Sequence, residues 1–328
     1  MTLRTPAFWQ EKNSIWKTFL TPLSCLYRAT CFVNRQKTET YTSRLPVLCI
    51  GNVTVGGSGK TPVVQNLLQI ITQQRLANKP CILSRGYGGT KDVHLVSRDD
   101  TCMDVGDEPL LLSRTAPVVV AGNRAEGAGL IEEHGFDMII MDDGFQNFTL
   151  AKTLSFLVVD GTAGFGNNAL LPAGPLREPL DAALSRTQAA IIINDDTYNV
   201  RTYLPPDMPI FEADIEPHFS GEKNRPYIAF CGIGQPDKFK ITLSDLELDI
   251  KDFIPFPDHH AFTQQDVQSL IKSAQTTNTR LLTTEKDAGR LESFPEIRPF
   301  LEVLPITLKW RDEDAVITFL KEGLRHDR

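Results

Sequence analysis

The chain is poor in the residues that build metal clusters and redox pairs: 328 residues carry six cysteines and six histidines. Cys25, Cys31, Cys49, Cys81, Cys102 and Cys231 form no CxxC pair and no metal-ligand spacing. That pattern excludes a zinc ribbon and a dithiol centre, and leaves buried thiols in a reducing cytoplasm as the expectation. No run reaches the roughly 18 uninterrupted apolar residues of a spanning helix, and no small-residue cleavage site follows a short apolar core. There is no internal repeat and no low-complexity tract. Positive charge is in deficit, with a net charge of −7, which argues against a nucleic-acid partner. What remains, at 41% hydrophobic and 23% charged residues, is an ordinary folded protein long enough for one large or two medium domains.

The scarce positive charge is concentrated at one end. Residues 1–45 carry +5 and the remainder −12. In the same segment Phe8, Trp9, Ile15, Trp16, Phe19, Leu20, Leu23, Leu26 and Tyr27 recur at three- and four-residue steps. This predicts an amphipathic helix with one apolar side, broken or kinked at Pro22. A basic helix with tryptophans on its apolar side suits an anionic membrane surface, although such a face can equally pack on the protein's own core.

The strongest motif follows. An apolar strand (Val47, Leu48, Cys49, Ile50) runs through Thr54, Val55, Gly56, Gly57, Ser58 and Gly59 into Lys60 and Thr61. In this layout glycines let backbone N–H groups close around phosphate oxygens, the lysine reaches the β- and γ-phosphates, and the threonine hydroxyl ligates magnesium. Thr54 stands where the usual pattern has its first glycine. Pro62 suits a helix start. A nucleoside triphosphate with Mg²⁺ is the implied ligand.

Short apolar runs recur at 81–83, 118–120, 138–141, 154–159 and 189–193, each ending in a polar cluster and separated from the next by a helix-length segment. Strands apolar throughout indicate a mostly parallel sheet flanked by helices, with ligands collecting beyond the strand carboxyl ends. The proline-rich stretch around Pro205, Pro206 and Pro209 suggests a boundary. The expected organisation is an amino-terminal docking segment (1–44), a phosphate-loop α/β core (45–210) and a smaller α/β domain (211–328) that contributes His259.

Asp142 and Asp143 follow four apolar residues, as a magnesium-binding acid does at a strand end. Asp107, before an apolar helix start, reads by itself as a helix cap, but a kinase needs a group that positions and deprotonates the attacking hydroxyl. His259 and His260 lie beside Asp258 and suit a proton acceptor or its partner, or a surface turn. Arg85, Arg124 and Arg177 follow glycine-containing turns and could face phosphates.

Together these pieces resemble the tetraacyldisaccharide 4'-kinase family. The matching positions are Gly51, Asn52 and Thr54 with the loop through Pro62, then Ser84 to Gly88, Gly106 to Pro109, Gly122 to Arg124, Asp142 to Gln146, Leu171 to Glu178, Asp258 and His259, and Thr284 to Asp287. The resemblance covers nearly the whole chain, and Thr54 in place of glycine is itself the family's habit. It implies transfer of the ATP γ-phosphate to the 4'-hydroxyl of a tetraacylated glucosamine disaccharide 1-phosphate in lipid A synthesis. It also implies peripheral docking at the cytoplasmic face of the inner membrane in a Gram-negative-type cell, with no obligate protein partner. It places the catalytic carboxylate at Asp107 and its histidine partner at His259. Lys60, Thr61, Asp142 and Asp143 fall on the nucleotide and magnesium site, and Arg124, Arg177 and Glu178 on positions associated with the reacting phosphates or substrate. The rivals are a phosphate-loop ATPase or GTPase switch and a nucleotide-binding membrane scaffold without catalysis. Against the switch, Thr284, Glu285, Lys286 and Asp287 put lysine one step too late for a guanine-specific motif, and Val55 stands where partitioning ATPases carry an additional lysine.

Overall fold

The computed structural model describes residues 6–324. Its centre is β1 (Val47–Gly51), whose residues are all buried. Leu48 and Ile50 belong to one apolar layer and Val47 and Cys49 to the other. A strand apolar on both faces must be covered on both, which is what the unbroken apolar runs predict. β2 (Pro80–Ser84), β3 (His94–Leu95), β4 (Val118–Val120), β5 (Met138–Asp142), β6 (Leu154–Asp160), β7 (Ala189–Ile193) and β8 (Ile210–Pro217) complete most of a nine-stranded sheet. A second sheet of four parallel strands is formed by β9 (Tyr227–Cys231), β10 (Ile250–Pro255), β11 (Arg280–Thr284) and β12 (Leu301–Leu304). β13 (Ile306–Trp310) then returns to the large sheet, whose order is β13-β8-β7-β6-β1-β5-β2-β4-β3. The large sheet is parallel except at its two edges, where β13 runs against β8 and β3 against β4.

This return departs from a simple split at residue 210. β8 pairs in parallel with β7, and β13 pairs with β8 over Ala213–Pro217. The small sheet is thus an excursion between two strands of the large one. The prolines at 205, 206 and 209 precede an added strand rather than a domain boundary, since proline is tolerated at a strand's start.

Helices cover both faces of the large sheet. On one, α2 (Lys60–Gln73) buries Val63, Val64, Leu67 and Ile71 beside Val316 and Leu320 of α10 (Glu313–Gly323). On the other lie Ala128 and Ile131 of α5 (Arg124–Glu133) and Leu180 and Ala183 of α6 (Leu180–Leu184). The small sheet carries α7 (Pro236–Asp245) and α8 (Gln264–Thr277). Cys49, Cys81 and Cys231 are buried within strands as expected, whereas Cys25 is exposed and Cys31 and Cys102 are half-buried.

The amino-terminal helix α1 (Ile15–Lys37) runs uninterrupted through Pro22, so the expected break is absent. Phe8 and Trp9 are not part of its face but of a separate 3₁₀ turn, Ala7–Gln10. Trp9 is buried and donates its indole N–H to the Pro172 carbonyl at 3.1 Å. α1 also docks inside out. Its polar side grips the protein: Lys17 Nζ donates to Asn167 O at 2.9 Å, Ser24 Oγ to Leu170 O at 2.9 Å, and Tyr27 Oη to Arg177 O at 2.9 Å. Ile15, Trp16, Phe19, Leu23, Leu26, Phe32 and Val33 face solvent. Among the described residues, no helix is long and apolar enough to cross a membrane.

Candidate active site

The β1–α2 turn is built in two halves. Its front half is tied down: Val55 N–H donates to Pro175 O at 2.9 Å, Arg177 N–H to Val53 O at 2.7 Å, and Thr54 pairs with Leu176. Those amides are spent on the protein. The back half, Gly56 to Gly59, curls through positive φ at Gly56 (112°) and Gly59 (79°), and a side chain at Gly59 would collide with Ile193. Among the described residues the amides of Gly56, Gly57, Ser58 and Gly59 find no hydrogen-bond acceptor. Unspent backbone donors at the start of a fourteen-residue helix make an anion cradle.

β5 presents the acids beside this cradle, because its register sets Asp142 opposite Ile50 of β1. Asp142 is wholly buried, and neither carboxylate oxygen has a partner among the described residues. Burial, and then the nearby Glu108 and Asp143 carboxylates, push its pKa up to about 7. A buried ionisable oxygen pair with nothing to bind fits a divalent cation with oxygen ligands. Asp143, in contrast, is occupied. Lys60 Nζ lies 3.6 Å from Oδ1 and Arg177 Nη1 3.0 Å from Oδ2. Burial works against its charge, but Lys60 and Arg177 outweigh it and hold the pKa below the ordinary carboxylate range.

Arg124, the first residue of α5, is buried with its Nε unpaired. Burial lowers its pKa to about 10, so it stays protonated at neutral pH. Glu178 lies to one side of these groups, accepting from Arg186 Nη2 at 2.5 Å and from Gln146 Nε2 at 2.9 Å. Gln146 in turn donates to Asn52 O at 2.8 Å, and its Oε1 lies 3.4 Å from Arg177 Nη1. Glu178 therefore braces the loop's base and Arg177 through Gln146. Arg186, which the sequence reading did not single out, is its counter-ion.

The second constellation spans both sheets. α3 (Cys102–Val105) ends at Gly106, whose φ of 90° starts α4 (Asp107–Leu112). A side chain at Gly106 would strike the Tyr87 carbonyl, so the Arg85–Gly89 turn packs directly on this corner. Asp107 is the first residue of α4 and makes no capping bond. Its carboxylate turns instead to the small sheet, where His259 Nδ1 lies 2.8 Å from Oδ2. Arg290, the last residue of α9 (Glu285–Arg290), reaches the same oxygen with Nε at 2.7 Å and with Nη2. Burial raises the Asp107 pKa, but the His259 and Arg290 hydrogen bonds more than offset it and bring it down to about 2. His259, in a left-handed backbone conformation (φ 55°), is shifted above the ordinary imidazole value, chiefly by the Asp107 bond. Tyr87 meets its ring edge-on at 5.6 Å. His260 is elsewhere: it stacks on Phe256 at 4.8 Å and bonds Asp266 at 3.1 Å.

The two constellations meet at Glu108. It pairs with Lys286 of α9 at 2.6 Å, and its charge is felt both by Asp142 and, with Lys60, in its own depressed pKa, where Lys286 is the main counterweight to burial. Glu108 thus links the loop lysine, Asp142 and Asp143 electrostatically to the helix that begins with Asp107. Arg290 escaped the sequence reading, which named Lys286 only within the Thr284 to Asp287 stretch and gave it no role in the site. Their only signal was a charged helix start, Glu285-Lys286-Asp287, after an apolar strand.

A parallel sheet, a glycine turn with free amides, an orphaned strand-end carboxylate and a carboxylate–imidazole pair define a P-loop phosphotransferase. The family model described as tetraacyldisaccharide-1-P 4'-kinase matches residues 16–325. The chain belongs to that family. It is 42% identical over 318 residues to the tetraacyldisaccharide 4'-kinase of Gluconobacter oxydans (strain 621H), covering 95% of each chain. It is 40% identical over 334 residues to that of Bradyrhizobium sp. (strain ORS 278), covering 98% of each. The crystal structure of LpxK from Aquifex aeolicus in complex with ATP superposes with a TM-score of 0.74 at 27% identity, covering 94% of this chain and 100% of that one.

Proposed function

We infer that this chain transfers the γ-phosphate of ATP to the 4'-hydroxyl of a tetraacyldisaccharide 1-phosphate, as a kinase of lipid A biosynthesis. The observation that carries the reading is the Asp107–His259 pair (2.8 Å) joined through neighbouring Glu108 to the phosphate loop and its acids. A nucleotide switch needs only a residue that positions water at its γ-phosphate, not a carboxylate–imidazole pair assembled across two sheets.

In this reading Lys60 and the amides from Gly56 to Thr61 hold the β- and γ-phosphates. Thr61 and Asp142 would hold Mg²⁺, which supplies positive charge at the phosphoryl oxygens when bound. Asp143 acts through its ion pairs, orienting Lys60 and Arg177, and Arg124 adds fixed positive charge on the same side. All the contacts on Asp107 fall on Oδ2, leaving Oδ1 to accept the sugar hydroxyl. As the sugar O–P bond forms and the bond to the ADP oxygen breaks, the hydroxyl proton passes to the Asp107–His259 pair. Its imidazole, the stronger base of the two, ends as the charged member.

The pH dependence follows with a definite sign. The pair must begin with His259 neutral, and His259 gains its proton more readily than an ordinary histidine. kcat therefore rises with pH through a midpoint displaced above the usual histidine value of about 6.5. A profile flat down to pH 5.5 contradicts the assignment. The activity itself is tested by incubating the protein with γ-labelled ATP, Mg²⁺ and the tetraacyldisaccharide 1-phosphate in detergent. Label appears on the lipid, and its absence with intact protein rejects the reading.

The outward apolar face of α1, on the most basic part of the chain, supports peripheral docking on the cytoplasmic leaflet of the inner membrane. Replacing Ile15, Trp16 and Phe19 together by Ser is expected to lower partitioning onto anionic vesicles at least about tenfold, by removing three buried apolar anchors. Unchanged sedimentation with vesicles contradicts it.

A further inference from the structure

Arg290 has no place in phosphate binding or in the proton transfer just described, yet it is among the most constrained side chains in the molecule. Its side chain is 3% exposed. Four of the five N–H groups of its fork are used on these partners: Nε and Nη2 on Asp107 Oδ2, and Nη1 on both Gly232 O and Asp287 Oδ1 at 2.7 Å. Asp287 is itself fully buried and fixed, accepting from Gly232 N–H at 3.1 Å and from Thr284 Oγ1 at 2.8 Å. The guanidinium is therefore a rigid strut. One end is set in the β9 and β11 termini of the small sheet, and the other grips the carboxylate of the large-sheet unit. Burying a cation at such a junction is costly unless its geometry does something a packed apolar side chain could not.

We propose that Arg290 is a positioning residue for phosphoryl transfer, holding Asp107 ionised with Oδ2 turned to His259 and Oδ1 free for the acceptor hydroxyl. This rests on the reading of Asp107 and His259 as the base pair. The strut also makes assembly of that pair depend on the small sheet being seated on α4. The charged and titratable groups around the pair are few: Asp107, Asp258, Tyr87 and Arg290 about His259, and Cys102 and Asp287 beyond Asp107. Among them Arg290 is the cation, and its charge disfavours a proton on both members of the pair. Its removal therefore shifts the acidic limb of the rate profile to higher pH.

The test uses the full chain, the single variants Arg290→Gln, Arg290→Lys and Asp107→Asn, and the two double variants that combine Asp107→Asn with each Arg290 change. Arg290→Gln is expected to lose about 10–100-fold in kcat with the KM for ATP within about twofold, as misplacing a reacting group does. Its acidic limb moves up in pH. Arg290→Lys keeps the charge but not the fork, so kcat still falls, with a smaller limb shift. In the Asp107→Asn background either change costs less than about twofold in kcat, because no base is left to position. Two results overturn the proposal: wild-type kcat and pH profile in a folded Arg290→Gln, or a loss that leaves the profile unmoved and multiplies with that of Asp107→Asn. If Arg290→Gln does not fold, wild-type kcat in Arg290→Lys overturns it. If Asp107→Asn itself turns over normally, the base-pair reading fails. If Asp107→Asn is impaired and the Arg290 variants are normal, only this inference fails.

Discussion

Asp107→Asn is expected to lower kcat by about 10²–10⁴, the range a positioned general base supplies, while ATP affinity stays near that of the wild type. The split arises because Asp107 belongs to α4 and the small-sheet contacts, whereas the phosphates are held by the β1–α2 turn. An asparagine is nearly isosteric and can still accept one bond from Arg290. It no longer neutralises that buried cation, so a stability loss of about 1–3 kcal/mol accompanies the kinetic one. Turnover assays beside a nucleotide-binding titration separate the two effects. Loss of ATP binding in step with kcat would mean that Asp107 supports the fold of the cleft rather than the chemistry.

The second large effect has the opposite sign in stability. Asp142→Asn is expected to cost at least about 10² in kcat by removing the carboxylate assigned to the metal. The same change should raise the melting temperature of the ligand-free protein by several degrees at neutral pH and above. Both Asp142 oxygens are buried without a partner, so the charged form is disfavoured by the fold, and a neutral amide is cheaper to bury. A stabilised and inactive variant is the trade-off expected where a site is built for its ligand rather than for itself. Adding Mg²⁺ and ATP should then raise the wild-type melting temperature by more than the variant's. A variant that melts lower than wild type without ligand, or that gains as much from Mg²⁺, contradicts this role.

Much of the large sheet could be read directly. β1, β2, β4, β5, β6 and β7 are short runs buried on both faces, and such strands announce themselves by unbroken apolarity. The phosphate loop was equally legible, since its function depends on consecutive residues. What stayed hidden was set by distant pairing. β8 and β13 are separated by the whole small sheet and meet only through register, from Ala213 with Trp310 to Pro217 with Ile306. Arg290 meets Asp107 across 183 positions and Lys286 meets Glu108 across 178, and no local spacing reports such pairs. Local rules also misled at α1. Pro22 reads as a break or kink, and the spacing puts Trp9 on the helix's apolar side. The helix continues through the proline, and the tryptophan is consumed in anchoring the segment to Pro172. Asp107 shows the same lesson in the site: it reads as a helix cap, but Gly106 holds the cap position and the Asp107 carboxylate is spent on His259 and Arg290.

The central claim is that the phosphate loop and the Asp107–His259 pair form a single reaction centre. A crystal structure with Mg²⁺ and a non-hydrolysable ATP analogue measures this most directly. The account predicts the γ-phosphorus within about 6 Å of the Asp107 carboxylate, the span of one attacking oxygen between a hydrogen bond and an in-line approach. A terminal phosphate well beyond that reach, with Asp107 still held by His259 and Arg290, would contradict it.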